Sequence, residues 1–125
     1  MPLTSAKIAR ITDRRLDKGQ WHRMCGRLLK ELAEDLCLHP DTYEVRSNKG
    51  GDAVRGEVTL HSDRLYVQIG EQAFENDLGV LYRRCRGRRD FAGLCNNWIK
   101  AARWAASPDA FRNTLISLAE TEVTR

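Results

Sequence analysis

Val54–Gly70, VRGEVTLHSDRLYVQIG, decides the fold. Its first half alternates Val54, Gly56, Val58 and Leu60 with Arg55, Glu57, Thr59 and His61. Its second half, Arg64–Gly70, puts Leu65, Val67 and Ile69 on one side. A period of two belongs to an extended strand with one buried face. Two such runs about Ser62-Asp63 predict a β-hairpin.

Upstream, Asn48-Lys49-Gly50-Gly51-Asp52 is a turn cluster, its glycines suited to positive φ. Before it, Thr42–Ser47 predicts a strand with Tyr43 and Val45 on one face. Downstream, Glu71–Asp77 reads as an acidic connection and Gly79–Arg86 as a fourth strand. Beyond these runs the period lengthens. Residues 5–16 predict a helix capped by Ser5, with a break at Asp17-Lys18-Gly19. Gln20–Leu38 is a stronger helix, with Trp21, Met24, Cys25, Leu28, Leu29, Leu32 and Leu36 at helical spacing. His39-Pro40 ends it, since the residue before proline avoids helical backbone. Near the other end, Asn96 or Asn97 can cap a helix over Trp98–Ala106. Ser107-Pro108 starts another, carried by Ala110, Phe111, Leu115 and Leu118, and 121–125 should fray.

These elements predict an α+β fold, one domain over 1–125. It holds a four-stranded antiparallel meander, with two N-terminal and two C-terminal helices packed mainly on one face. The 42% apolar and 30% charged content suits a packed domain, and no apolar run is long enough to span a bilayer. Charges fall where a signal peptide needs its apolar core, so a cytoplasmic protein is expected. Cys25, Cys37, Cys85 and Cys95 contain no C-x-x-C pair and read as reduced, mostly buried small hydrophobes. Cys85, Cys95 and His61 lack metal-ligand spacing, so no metal and no cofactor is called for.

Charge is polarised along the chain. The net +4 arises from +3 over 1–50, −4 over 51–82, +6 over 83–104 and −1 over 105–125. Five arginines, Arg83, Arg84, Arg86, Arg88 and Arg89, occupy seven positions. Guanidinium forks suit phosphate and carboxylate. Strand alternation puts Arg84 and Arg86 on one face and Arg83 on the other, so convergence requires a bend at Gly87. The competing reading pairs some with Glu71, Glu75, Asp77 or Asp90 and leaves the rest as a solvated edge. Among the interleaved aromatics, Tyr66 points away from Leu65, Val67 and Ile69 and is the ring expected to be exposed. Phe91 and Trp98 read as core. His61, on the polar side with Glu57 and Thr59, is the one histidine suited to acid–base work, yet no nucleophile accompanies it. Asn96-Asn97 and Gly93 read as caps and turns. Lys49-Gly50-Gly51 lacks the spacing of a phosphate loop.

At EVTLHSDRLYVQIG (Glu57–Gly70) and VLYRRCRGRRDFAGLCNNW (Val80–Trp98) the chain resembles a family of small proteins of bacterial plasmids and integrative conjugative elements. The motif is Tyr82-Arg83-Arg84-Cys85-Arg86-Gly87-Arg88-Arg89-Asp90-Phe91. The resemblance implies an accessory role in a mobile element and no mechanism.

The leading expectation is a non-enzymatic protein whose Arg83, Arg84, Arg86, Arg88 and Arg89, with Tyr66, contact DNA, RNA or another polyanion. The alternative is a module that inhibits or regulates a host or element protein through its polarised surface. A third is a small enzyme with a pocket at His61, Tyr82 and Arg84. No membrane partner is expected, and self-association is left open.

Overall fold

Alternation becomes pairing through the middle of the chain. The computed structural model describes residues 3–51, 54–74, 77–91 and 95–121. Five strands form one antiparallel meander in chain order: β1 (Tyr43–Asn48), β2 (Glu57–Ser62), β3 (Leu65–Phe74), β4 (Asp77–Arg84) and β5 (Asn97–Lys100). Helices α1 (Ser5–Arg10) and α2 (Lys18–Asp35) precede the sheet, and α3 (Ala101–Ala106) and α4 (Pro108–Glu120) follow it. The α+β class and the helices at both ends hold, with five strands instead of four. No helix among the described residues is long and apolar enough to cross a membrane.

The fifth strand corrects the helix expected over Trp98–Ala106. Asn97–Lys100 pairs with β4 instead, setting Ile99 beside Val80 and Trp98 beside Leu81. Trp and Ile favour the pleated surface, and a helix here would leave the outer edge of β4, which β3 does not pair, without a partner strand. The helix therefore starts only at Ala101, burying Ala101, Trp104 and Ala105.

Other boundaries move for local reasons. Thr4, not Ser5, caps α1, its hydroxyl accepting from Lys7 N at 3.2 Å. The helix stops near Arg10, where the Trp21 indole takes the Ile11 carbonyl at 3.1 Å. Asp17 and Gln20 form a reciprocal capping box, so Gly19 lies inside α2 instead of breaking the chain. At the far end Cys37 adopts φ 59°, with Leu38 N on Ala33 O and Cys37 N on Glu34 O, both 2.9 Å. That is a Schellman cap built without glycine. Gly56, at φ 83°, is indispensable: a Cβ there would lie 2.0 Å from Asn48 O. The turn it makes delays β2 to Glu57. The expected acidic connection is mostly strand, since β3 runs to Phe74 and Phe74 pairs with Asp77 across a register irregularity. Asp52, Glu75, Gly93 and residues 122–125, also named in the sequence reading, lie outside the described residues.

Register sorts the sheet into two faces. Val58, Leu60, Leu65, Val67, Ile69 and Val80 join Ile8, Trp21, Leu29, Leu32, Trp104, Phe111 and Leu115 in a single core. The helices pack on that face. The other face reads Arg46, Thr59, Gln68, Leu81, Trp98 in one row and Glu44, His61, Tyr66, Arg83 in the next. β2 is buried on both sides, not one: Thr59 and His61 are shielded although no described helix covers them.

Candidate nucleic-acid interface

For His61 the shielding comes from the arginine segment itself. After β4 the chain turns back and lays Gly87 and Phe91 against the helix-free face. His61 is the fastening: its Nε2–H donates to Gly87 O at 2.9 Å, and its Nδ1 accepts from Arg46 Nη2 at 3.0 Å. A carbonyl can only accept and a guanidinium can only donate, so the ring is neutral with its proton on Nε2. Burial holds its pKa below the ordinary histidine value. Its hydrogen bond to Gly87 acts in the opposite direction, as does Glu44, while the Arg46 and Arg83 cations deepen the depression. The rings of Tyr66 and Phe91 meet His61 edge-on at 5.0 and 5.5 Å, and Arg46 lies 5.3 Å from the Phe91 centroid.

The five arginines separate. Arg83 is 2% exposed, its guanidinium 4.1 Å from the Tyr66 centroid and its Nη2 donating to Asp90 O at 3.0 Å. Arg84 projects to the helix side, where Nε donates to Thr121 O at 3.1 Å and Nη1 to Arg64 O and Cys85 O. Arg86 is exposed, with its backbone N–H on Asp90 Oδ2 at 3.0 Å and its Nε 3.8 Å from the same oxygen. Arg88, also exposed, lies 3.4 Å from Asp63. Arg89 is exposed and, among the described residues, makes no ion pair. Only Arg86, Arg88 and Arg89 thus remain outward, at the end of the sheet marked by Asp63 in the β2–β3 turn.

The exposed rings differ from those expected. Tyr66 is half-buried: one ring face is taken by Arg83, and its hydroxyl accepts from Gln68 Nε2 at 3.3 Å. Phe91 and Trp98, read as core, are 65% and 46% exposed. Phe91 rides on the folded-back loop, and Trp98 faces away from the helices because its neighbour Ile99 faces them. Reading Asn97–Lys100 as a strand would have exposed Trp98 in the sequence. Nothing comparable signalled the pairing of His61 with Gly87 and Arg46, which joins three distant segments.

The expected pocket at His61, Tyr82 and Arg84 does not form. His61 lies on the helix-free face, whereas Tyr82 packs on Phe111 of α4 at 5.1 Å and Arg84 is also on the helix side. Nor do Cys85, Cys95 and His61 assemble as ligands. Cys85 Sγ donates to Ser62 O at 3.3 Å, both His61 nitrogens are engaged, and no metal-binding trio occurs among the described residues. Burial raises the Cys85 thiol pKa, so it stays protonated.

What the arrangement can do is stack and attract. A sheet face free of described helices carries Trp98 on β5 and Phe91 over β2, three strand spacings or roughly 14 Å apart. Gln68 and Leu81 lie between, and a basic loop closes one end. These features define the class, an α+β protein with an aromatic, basic-edged sheet face. Comparison with protein-family models, curated proteins and solved structures found no match for the chain.

Proposed function

We propose that this chain binds single-stranded nucleic acid without catalysing a reaction, using the helix-free sheet face as a stacking platform and Arg86, Arg88 and Arg89 as its electrostatic border. The observation that carries the reading is the exposure of Phe91 and Trp98 on that face, beside a basic loop fastened to it. Bases stack on aromatic rings regardless of sequence, and a sheet of this width accommodates two or three of them. Of the five clustered arginines, Arg84 is structural in this reading, tied to backbone carbonyls on the helix side, and Tyr66 stacks on Arg83 instead of receiving a base. An accessory role in a mobile element is compatible with such binding and belongs to the same proposal.

Tryptophan fluorescence tests it directly. Trp21 and Trp104 are fully buried, so quenching by a single-stranded oligonucleotide reports Trp98. Saturable quenching that disappears in Trp98→Phe supports the platform. An unchanged spectrum at oligonucleotide concentrations far above the protein's rejects it.

A further inference from the structure

Among the described residues, one arginine is buried without an acidic partner. Arg83 is 2% exposed, and its Nη1 is enclosed with no hydrogen-bond partner. Among the described residues it makes one hydrogen bond, from Nη2 to a neutral carbonyl, and its guanidinium lies over the face of Tyr66. No carboxylate among the described residues lies within ion-pair distance of it. Its neighbour Arg46, in contrast, has Glu44 at 2.5 Å. Buried charges are ordinarily paired and buried donors ordinarily satisfied, because removing them from water is costly. An unmade donor on an unneutralised guanidinium is the feature that a bound oxyanion would complete.

We infer that Arg83 anchors a phosphate-binding site roofed by the 86–91 segment. The inference rests on the nucleic-acid reading and names the group that would be held most closely. Among the described residues, the roof is held by His61 Nε2 to Gly87 O, by Arg83 Nη2 to Asp90 O and by the Arg88–Asp63 ion pair, together with the Phe91 ring on His61 and Arg46. Phosphate oxygens replacing Asp90 O would take both Nη1 and Nη2 in the bidentate geometry that arginine favours. Release of Asp90 O alone, with Gly87 and Phe91 kept on His61, leaves the outward Arg86, Arg88 and Arg89 of the same segment on the side from which the anion enters. The phosphate could come from solution or from a nucleic-acid strand, and the two sources separate experimentally.

The experiment uses the full chain. Thermal unfolding is followed in sodium phosphate and in sodium chloride of equal ionic strength, for the wild type and for Arg83→Gln, which keeps a donor toward Asp90 O without the charge. The expected result is a midpoint several degrees higher in phosphate than in chloride, with the increment absent from the variant. Equal midpoints in the two salts, or an increment that persists in Arg83→Gln, overturn the site. Should Arg83→Gln not fold, the Tyr66 ring and Arg83 guanidinium NMR signals of the wild type decide: saturable movement with phosphate but not chloride supports the site, and none overturns it. A second arm compares binding of a single-stranded oligonucleotide with and without a 5′-phosphate. At least fivefold tighter binding with the 5′-phosphate, lost in Arg83→Gln, assigns a strand's terminal phosphate. Equal binding together with a wild-type phosphate increment assigns free phosphate. Oligonucleotide binding that is intact in Arg83→Gln, with no phosphate increment in the wild type, rejects this site and leaves the platform reading standing. Absence of any oligonucleotide binding rejects the platform reading itself.

Discussion

His61 and Gly87, 26 residues apart, are joined by one hydrogen bond of 2.9 Å that fastens the arginine loop to the sheet. The same ring accepts from Arg46 through Nδ1, so the fastening needs neutral histidine. Protonation would set an N–H against the Arg46 guanidinium, with Arg83 close by and only Glu44 to compensate.

Stability should therefore depend on pH through His61. Its pKa in the folded protein lies below the ordinary value of 6.5, so the unfolded chain takes up the proton first. The contribution is complete above about pH 6.5 and declines as pH falls toward the folded value. Urea unfolding at pH 7.5 and 5.5 should show a loss for the wild type that is smaller in His61→Gln. Equal losses in both would show that His61 is not the titrating group.

Thiol accessibility should divide the four cysteines evenly. Cys37 and Cys95 are exposed, whereas Cys25 and Cys85 are buried with thiol pKa values raised by desolvation. Thiolate is the reactive form, so a thiol-specific reagent at pH 8 should modify two sites quickly and two only on unfolding. Rapid reaction of Cys85 would contradict the closed contact with Ser62.

Two backbone positions should respond oppositely to substitution. Gly56→Ala forces a Cβ into the Asn48 carbonyl at left-handed φ and should cost more than about 2 kcal/mol. Cys37→Gly relieves a non-glycine residue at φ 59° and should stabilise by up to about 1 kcal/mol. Chemical denaturation of each variant measures both signs.

The two-residue period of Val54–Gly70 and the helical spacing of Gln20–Leu38 were legible because each pattern matches what its element buries. The Trp98–Ala106 stretch was not, since Trp98, Ala101, Ala102 and Ala105 have helical spacing. Only the presence of β4 alongside makes the first residues extended. The arginine run was visible, and so was the strand parity that separates Arg83 from Arg84. What was not visible is that Arg83 is buried under the folded-back segment and that the exposed Arg88 meets the distant Asp63. Phe91 was misread for a related reason. An aromatic beside a charge cluster resembles a core anchor until the loop carrying it folds onto an uncovered sheet.

Salt dependence of single-stranded oligonucleotide binding tests the central claim most directly. The comparison is between the wild type, an Arg86→Ala/Arg88→Ala/Arg89→Ala variant, and an Arg10→Ala/Arg27→Ala control in the α1–α2 groove on the helix side. The account predicts wild-type affinity that falls steeply with salt. The loop variant should flatten the slope of log affinity against log salt by about 2, at roughly 0.7 per phosphate contact, and the control should leave it unchanged. No binding by the wild type, or the same slope in the loop variant as in the wild type, would contradict it.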